Sequence, residues 1–246
     1  MAARQQQRRK FRDRKDIFWD FSDAELIRRY RLDRAGIVAV TDLVRDELHS
    51  QTCRNKALSP ELKVAITLRY LATGKMQLCS GDDFGVSQPT ISRVIWQTIT
   101  ALTAPRVFHQ FVKFPLTRQE VQRKQVEFMA IARFPGVEGV IDGTHVRIVA
   151  PKDDEYAYVN RKRYHSINVQ IVFDATYKIL DIVTKWPGSV HDAHILDESG
   201  LKMLFEDNYV PQPCHLLGDS GYPFKQWLLT PYTNRQLAGP QANYNR

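Results

Sequence analysis

The 246-residue chain reads as an α/β protein in which an all-α, helix-turn-helix-like domain precedes a domain built on a mixed sheet. Three observations predict this. Up to Ala132 the apolar residues recur at the three-to-four-residue spacing of helices, with start and stop signals between them. From Val137 onward they form β-branched runs and period-two alternations bounded by turn residues. The charge divides at the same place: residues 1–128 hold 23 Lys and Arg against 14 Asp and Glu, and residues 129–246 hold 12 against 13. We therefore expect a basic tail over 1–20, a helical domain over 21–115 and a sheet domain over 116–246.

Composition narrows the function. At 43% hydrophobic and 25% charged the chain can bury a core of ordinary size. No apolar run reaches the roughly 18–20 residues of a membrane span, and the N-terminus has no apolar segment of a secretory signal. Cys53, Cys79 and Cys214 lie far apart, which excludes a disulfide framework or a cysteine zinc site and makes a reduced intracellular compartment the default. No Gly-rich phosphate loop, H-E-x-x-H or nucleophile elbow occurs. The excess of positive charge in the first half attracts polyanions, and nucleic acid is the obvious partner. Its densest run is Arg8, Arg9, Lys10, Arg12, Arg14 and Lys15; this is either a solvated tail, a phosphate-binding arm or a nuclear-import signal.

In the helical part, Ser22 can cap a helix through Leu32, and Asp33 one over residues 34–49 with Ile37, Val40, Leu43, Val44 and Leu48 as its stripe. Ser59-Pro60 starts a helix carrying Val64, Ala65, Leu68, Leu71 and Ala72, which Gly74 ends. Ser80–Phe84 reads as a short helix, Gly85-Val86 as a tight turn, and Ser87 as the cap of a helix to Leu102. That last helix turns Ile91, Val94, Ile95, Ile99 and Leu102 one way, and Gln88, Thr90, Arg93 and Gln97 the other, with Ser92 near its N-terminus. The layout is that of a helix-turn-helix able to reach base edges and phosphates; a plain helical hairpin with a wet polar face fits it as well. Thr117 and Glu120 form a capping box for a helix to Ala132.

The sheet part carries carboxylates in apolar surroundings. Strands are expected over 137–149, 167–173, 177–186 and 214–217, with a helical stretch over 193–205. Asp142 lies inside the first strand, where nothing local needs it. Asp192 follows a strand at a helix start and could be a cap; Asp219 follows another strand and could serve a turn. A shared divalent ion would satisfy all three, and oxygen ligands suit Mg²⁺ or Mn²⁺; a pair of such ions could clamp a phosphodiester. His145 and His191 each lie within three residues of one of these aspartates and could assist proton transfer or bind phosphate, although a structural histidine is the commoner case. Arg161, Lys162 and Arg163 form a basic loop that could track a phosphate backbone or simply be solvated.

Four segments, GVIDGTHVRIVAP (139–151), YVNRKRYHSINVQIVFD (158–174), WPGSVHDAHIL (186–196) and LLGDSGYP (216–223), together with the helix-turn-helix segment before them, resemble in order the PIF/Harbinger transposases and the domesticated nucleases derived from them. The resemblance covers most of residues 20–246. It implies an RNase H-like fold with a metal-dependent DDE site that cleaves DNA. On this resemblance Asp142 and Asp219 are the catalytic carboxylates, and Asp192 joins them as a third metal ligand. Mg²⁺ or Mn²⁺ is the cofactor and DNA the substrate, with a separate Myb/SANT-like DNA-binding protein as partner and residence in the nucleus and cytoplasm. Self-association stays open. The family's final Glu lies beyond its Tyr-Asn motif, whereas this sequence stops at Tyr244-Asn245-Arg246, so a weak or inactive endonuclease is expected. The alternative is a non-catalytic DNA-binding or protein-bridging relic.

Overall fold

The computed structural model describes residues 17–50, 57–233 and 240–244. The basic run, Cys53 and Asn245-Arg246 lie outside them. The chain divides into two compact units, Met1–Phe108 and His109–Arg246.

The first unit is helical. Short α1 (Ile17–Asp20) is followed by α2 (Asp23–Tyr30), which opens on a full capping box between Ser22 and Glu25. It ends at Tyr30, not at the expected Leu32, because Arg31 turns into the left-handed region (φ 66°) and donates its N–H to the Ile27 carbonyl. The Asp33 carboxylate accepts from Gly36 N–H (2.7 Å) at the start of α3 (Arg34–Leu48). Ser59 and Pro60 start α4 (Pro60–Thr73) as expected, and Gly74 ends it at φ 59°.

The stripe expected on α4 is only half right. Leu71 is exposed, while the four consecutive residues 64–67 are buried. The reason is that α4 packs against α2, α3 and α6, as well as the next helix, so it is enclosed on several sides. Thr67 is tolerated there because its hydroxyl donates to the Lys63 carbonyl (3.0 Å).

The next helix, α5, spans Gln77–Phe84 and so begins before the expected Ser80. Ser80 is no cap. It is buried within the helix with its hydroxyl turned back on the Met76 carbonyl (3.3 Å). Gly85 (φ 64°) ends α5, and α6 (Gln88–Leu102) follows. Gly81 lets the turn close, since a Cβ there would stand 2.7 Å from the Val86 carbonyl oxygen. Ile91, Val94 and Ile95 join Leu26, Ile37, Val44, Leu48, Val64 and Ile66 in one core. The division between the units falls inside α7 (Pro105–Phe111).

The second unit opens with α8 (Arg118–Ala132), started by the expected Thr117–Glu120 capping box. Its sheet is mixed. Strand β1 (Val137–Arg147) pairs antiparallel with β2 (Ser166–Phe173), which pairs antiparallel with β3 (Ile179–Pro187). On its other side β1 runs parallel to β4 (His215–Leu217), and β4 runs parallel to β5 (Leu228–Leu229). The order is β3-β2-β1-β4-β5, as expected of an RNase H-like domain. Strand β1 stops at Arg147 because its partner starts at Ser166, leaving Val149 91% exposed. Tyr177 belongs to the turn (φ 62°), not to β3. The single helix expected over 193–205 is two, α9 (Asp192–Asp197) and α10 (Gly200–Glu206), broken where the Ser199 hydroxyl donates to the Leu196 carbonyl (2.7 Å). Ile141, Val172, Leu196, Leu201, Phe205, Leu216 and Leu228 pack with Trp227, whose ring stacks on Phe205 at 4.8 Å. A last short helix, α11, spans Pro240–Tyr244.

One buried ion pair ties α8 to the sheet. The Asp174 side chain, fully enclosed, receives Lys124 Nζ at 2.7 Å, and its other oxygen accepts from the Thr176 hydroxyl and the N–H groups of Thr176 and Lys178. Burial alone would raise this carboxyl; the Lys124 ammonium and the three local donors overcome it and hold it at about 2.

Candidate active site

Asp142, Asp192 and Asp219 come from β1, the first turn of α9 and the segment after β4. The structure brings them together. A Cβ on Gly143, next to Asp142, would overlap Asp192 Oδ1, and a Cβ on Gly221 would stand 3.0 Å from Asp219 Oδ1 and 3.3 Å from Asp192 Oδ2. The Asp192 carboxylate thus lies between the two glycines that accompany the other aspartates. At Gly143 only a residue without a side chain allows this approach, and at Gly221 a side chain would be tight.

Each carboxylate is fixed by one donor. Gly143 N–H donates to Asp142 Oδ1 (2.9 Å), Asn168 Nδ2 to Asp192 Oδ1 (2.8 Å), and Gly221 N–H to Asp219 Oδ1 (2.9 Å). The second oxygen of each accepts no hydrogen bond among the described residues, and none of the three is paired with Lys or Arg there. The cap suggested for Asp192 does not exist: His191 holds the N-cap position, and Asp192 is the first residue inside the helix. The turn suggested for Asp219 does exist, closed by its bond to Gly221.

The electrostatics agree with convergence. Partial desolvation raises the Asp142 carboxyl above its ordinary range; the Gly143 N–H works against this, and the like charges of Asp219 and Asp192 add to it. Among the described residues no three His, Cys, Asp or Glu side chains close into a ready ion cage. The donor set still fits a hard cation: oxygen ligands only, one oxygen of each already oriented, and negative charge left uncompensated.

The other expected residues divide into groups. Arg161 reaches the site's border, where its guanidinium bonds to His191 Nδ1. Lys162 and Arg163 are exposed on the same loop. Buried Asn160 organises that loop by accepting from the N–H groups of Lys162 (2.9 Å) and Tyr164 (3.3 Å) and donating to the Ser166 hydroxyl (3.0 Å). His145 Nδ1 lies 3.1 Å from the same hydroxyl; neither His145 nor His191 is hydrogen-bonded to one of the three carboxylates. In the helical unit, Ser92, Arg93 and Gln97 are exposed on α6. Gln88 instead donates to Gln77 Oε1 (2.8 Å), and Thr90 shares a bond with Ser87 (2.9 Å), so Ser87 makes no side-chain cap.

Sequence reasoning missed four polar residues of the second unit. Asn168 and Gln170, which alternate with apolar residues along β2, are 2% and 1% exposed. Tyr222 is buried with its hydroxyl unpartnered, and Glu138 is fully buried on β1. The amides stand opposite His145 and Gly143 in the central pair of the sheet, a placement that their alternation along the strand does not announce.

The five-stranded mixed sheet is consistent with a DDE superfamily endonuclease domain, and residues 141–246 match that family. The chain as a whole is 36% identical over 227 residues to the mouse protein named "Putative nuclease HARBI1", covering 92% of this chain and 64% of the relative. It is 36% identical to the human protein of that name, covering 86% and 60%, and 30% identical to "Protein ALP1-like" of Arabidopsis thaliana, covering 77% and 49%. Over most of its length the chain is thus similar to Harbinger transposase-derived nucleases. The chain therefore spans about two thirds or less of the length of these relatives. No solved structure matches it.

Proposed function

We propose that the second unit is the divalent-metal-dependent DNA-cleaving domain of a transposase-derived endonuclease. The observation that supports this most directly is that three carboxylates from separate elements converge, each with one oxygen held by a donor and the other left free. Asp142, Asp192 and Asp219 would hold Mg²⁺ or Mn²⁺, singly or as a pair. The bound ions would supply Lewis-acid stabilisation of a phosphodiester undergoing in-line attack by water. The chain's own part is to keep the carboxylates aligned through the Gly143, Asn168 and Gly221 donors. Arg161, Lys162 and Arg163 would receive backbone phosphates beside the site. In the helical unit, Ser92, Arg93 and Gln97 on α6 would dock DNA, with the net positive charge of the first half strengthening the encounter.

Calorimetric titration of Mn²⁺ into the wild-type chain and into Asp142→Asn tests this reading. Binding at least tenfold weaker in the variant is expected, together with metal-dependent nicking of plasmid DNA that the variant loses. Equal binding by both would overturn it. DNA binding without metal binding would mark a non-catalytic relic.

A further inference from the structure

The side chain of Tyr222 is 4% exposed, and its hydroxyl has no hydrogen-bond partner. Burial pushes the phenol up, and after burial the charges of Asp192, Asp142 and Asp219 do so, in that order. The group is therefore a permanent O–H donor lying within the field of all three carboxylates, with Asp192 the strongest influence. The free oxygens of Asp192 and Asp219 both face this part of the chain, that of Asp192 the more closely, at 3.3 Å against 3.6 Å from a Cβ on Gly221. Asn168 takes Oδ1 of Asp192, and Oδ2 turns toward Gly221, the residue preceding Tyr222. A tyrosine serving only as core filling would do better as phenylalanine, because a buried hydroxyl without a partner is destabilising.

We propose that Tyr222 is a positioning residue of the acidic site: its hydroxyl donates to the free oxygen of Asp192 when the three carboxylates close on a divalent cation. Asn168 and Tyr222 then hold Asp192 from its two oxygens, so that it presents a fixed lone pair to the ion. The role rests on the metal-binding reading above. It also accounts for Asn168, whose amide is anchored by a second donation to the Val190 carbonyl (2.9 Å) and so ties Asp192 to the sheet. Outer hydrogen bonds of this kind orient the ligands of a metal and set its affinity.

The test is Tyr222→Phe in the full chain, read by two measurements with opposite expected signs. In EDTA the variant should melt at the wild-type temperature or above it, since an unsatisfied buried hydroxyl is gone. Toward MnCl₂ it should bind about fivefold more weakly, the effect of one lost hydrogen bond. A purely structural tyrosine gives the reverse, a lower melting temperature with unchanged Mn²⁺ affinity, and that result overturns the proposal. In the wild type, adding Mg²⁺ should shift tyrosine absorption to the red, as phenols shift on donating, and Tyr222→Phe should lack the shift. Absence of the shift in the wild type is refuting even if the variant fails to fold. If Asp142→Asn weakens Mn²⁺ binding while Tyr222→Phe does not, the role of Tyr222 falls and the metal reading stands. If the wild type binds no Mn²⁺, both fall together.

Discussion

Glu138 offers the sharpest test of the energetics of the sheet unit. It is fully buried on β1, neither carboxyl oxygen has a hydrogen-bond partner by geometry, and the Cys214 thiol is its polar neighbour. Burial pushes its carboxyl from 4.5 up to about 7, and the Cys214 thiol only partly opposes this. The native state therefore holds a proton that the unfolded chain has released above pH 4.5. Stability from this group is complete below the unfolded value and is lost as the pH rises through 7, in all about 3 kcal/mol. Glu138→Gln keeps the shape and removes the charge. Its urea-unfolding free energy should match the wild type within about 1 kcal/mol at pH 5 and exceed it by about 2–3 kcal/mol at pH 8. Because only the difference between the two proteins is read, histidines titrating over the same range cancel. Two curves running parallel from pH 5 to pH 8 would refute the reasoning and mean that Glu138 is solvated or paired in solution.

Asp174 has the opposite sign: its carboxyl is held at about 2 against an ordinary 3.8, so its contribution is present above pH 3.8 and is lost as the pH falls through 2. Asp174→Asn leaves Lys124 buried beside an amide and should cost about 3 kcal/mol at pH 7, measured by the same unfolding experiment. Gly143→Ala places a methyl group where Asp192 Oδ1 now lies. It should weaken Mn²⁺ binding at least tenfold while shifting the melting temperature far less than a core truncation would, and calorimetry beside thermal melting separates the two effects.

Features whose cause is local were legible in the sequence. The cap at Ser22, the capping box at Thr117, the Ser59-Pro60 start and the left-handed Gly74 stand where the sequence expects them, because each is decided within four residues. Asp142 was conspicuous because an acidic side chain in an apolar strand has no local partner. The failures are tertiary. Whether Leu71 or Thr67 is buried depends on how many neighbours enclose α4, and whether Asn168 and Gln170 meet water depends on what covers their face of the sheet. Period-two spacing says which residues share a face, never whether that face is wet. Gly81 and Gly143 are needed for approaches by Val86 and Asp192, and glycine carries no mark of what passes beside it.

The distribution of unmet polar groups argues that the sheet unit is shaped by something other than stability. Among the described residues of the sheet unit, Asn168 Oδ1, both polar atoms of Gln170, Trp186 Nε1 and the Tyr222 hydroxyl are buried without partners, as are both oxygens of Glu138 and His215 Nε2. Asn168 and Gln170 stand on β2 opposite His145 and Gly143, Trp186 stands opposite Asn168 on β3, and Tyr222 closes the turn that begins at Asp219. A core selected for packing alone would carry Leu or Val at these places, since each unsatisfied buried group costs about 1–3 kcal/mol. Local rules broken together around one group of like charges, while the same sheet packs Ile141, Val172 and Leu216 tightly a few residues away, are the pattern of a site whose polar lining is used when a ligand arrives. The helical unit meets the buried hydroxyls of Thr41, Thr67 and Ser80 with their own helix carbonyls and leaves that of Thr98 unpartnered. The unmet groups are nonetheless concentrated in the sheet unit, which must hold three carboxylates within reach of one another.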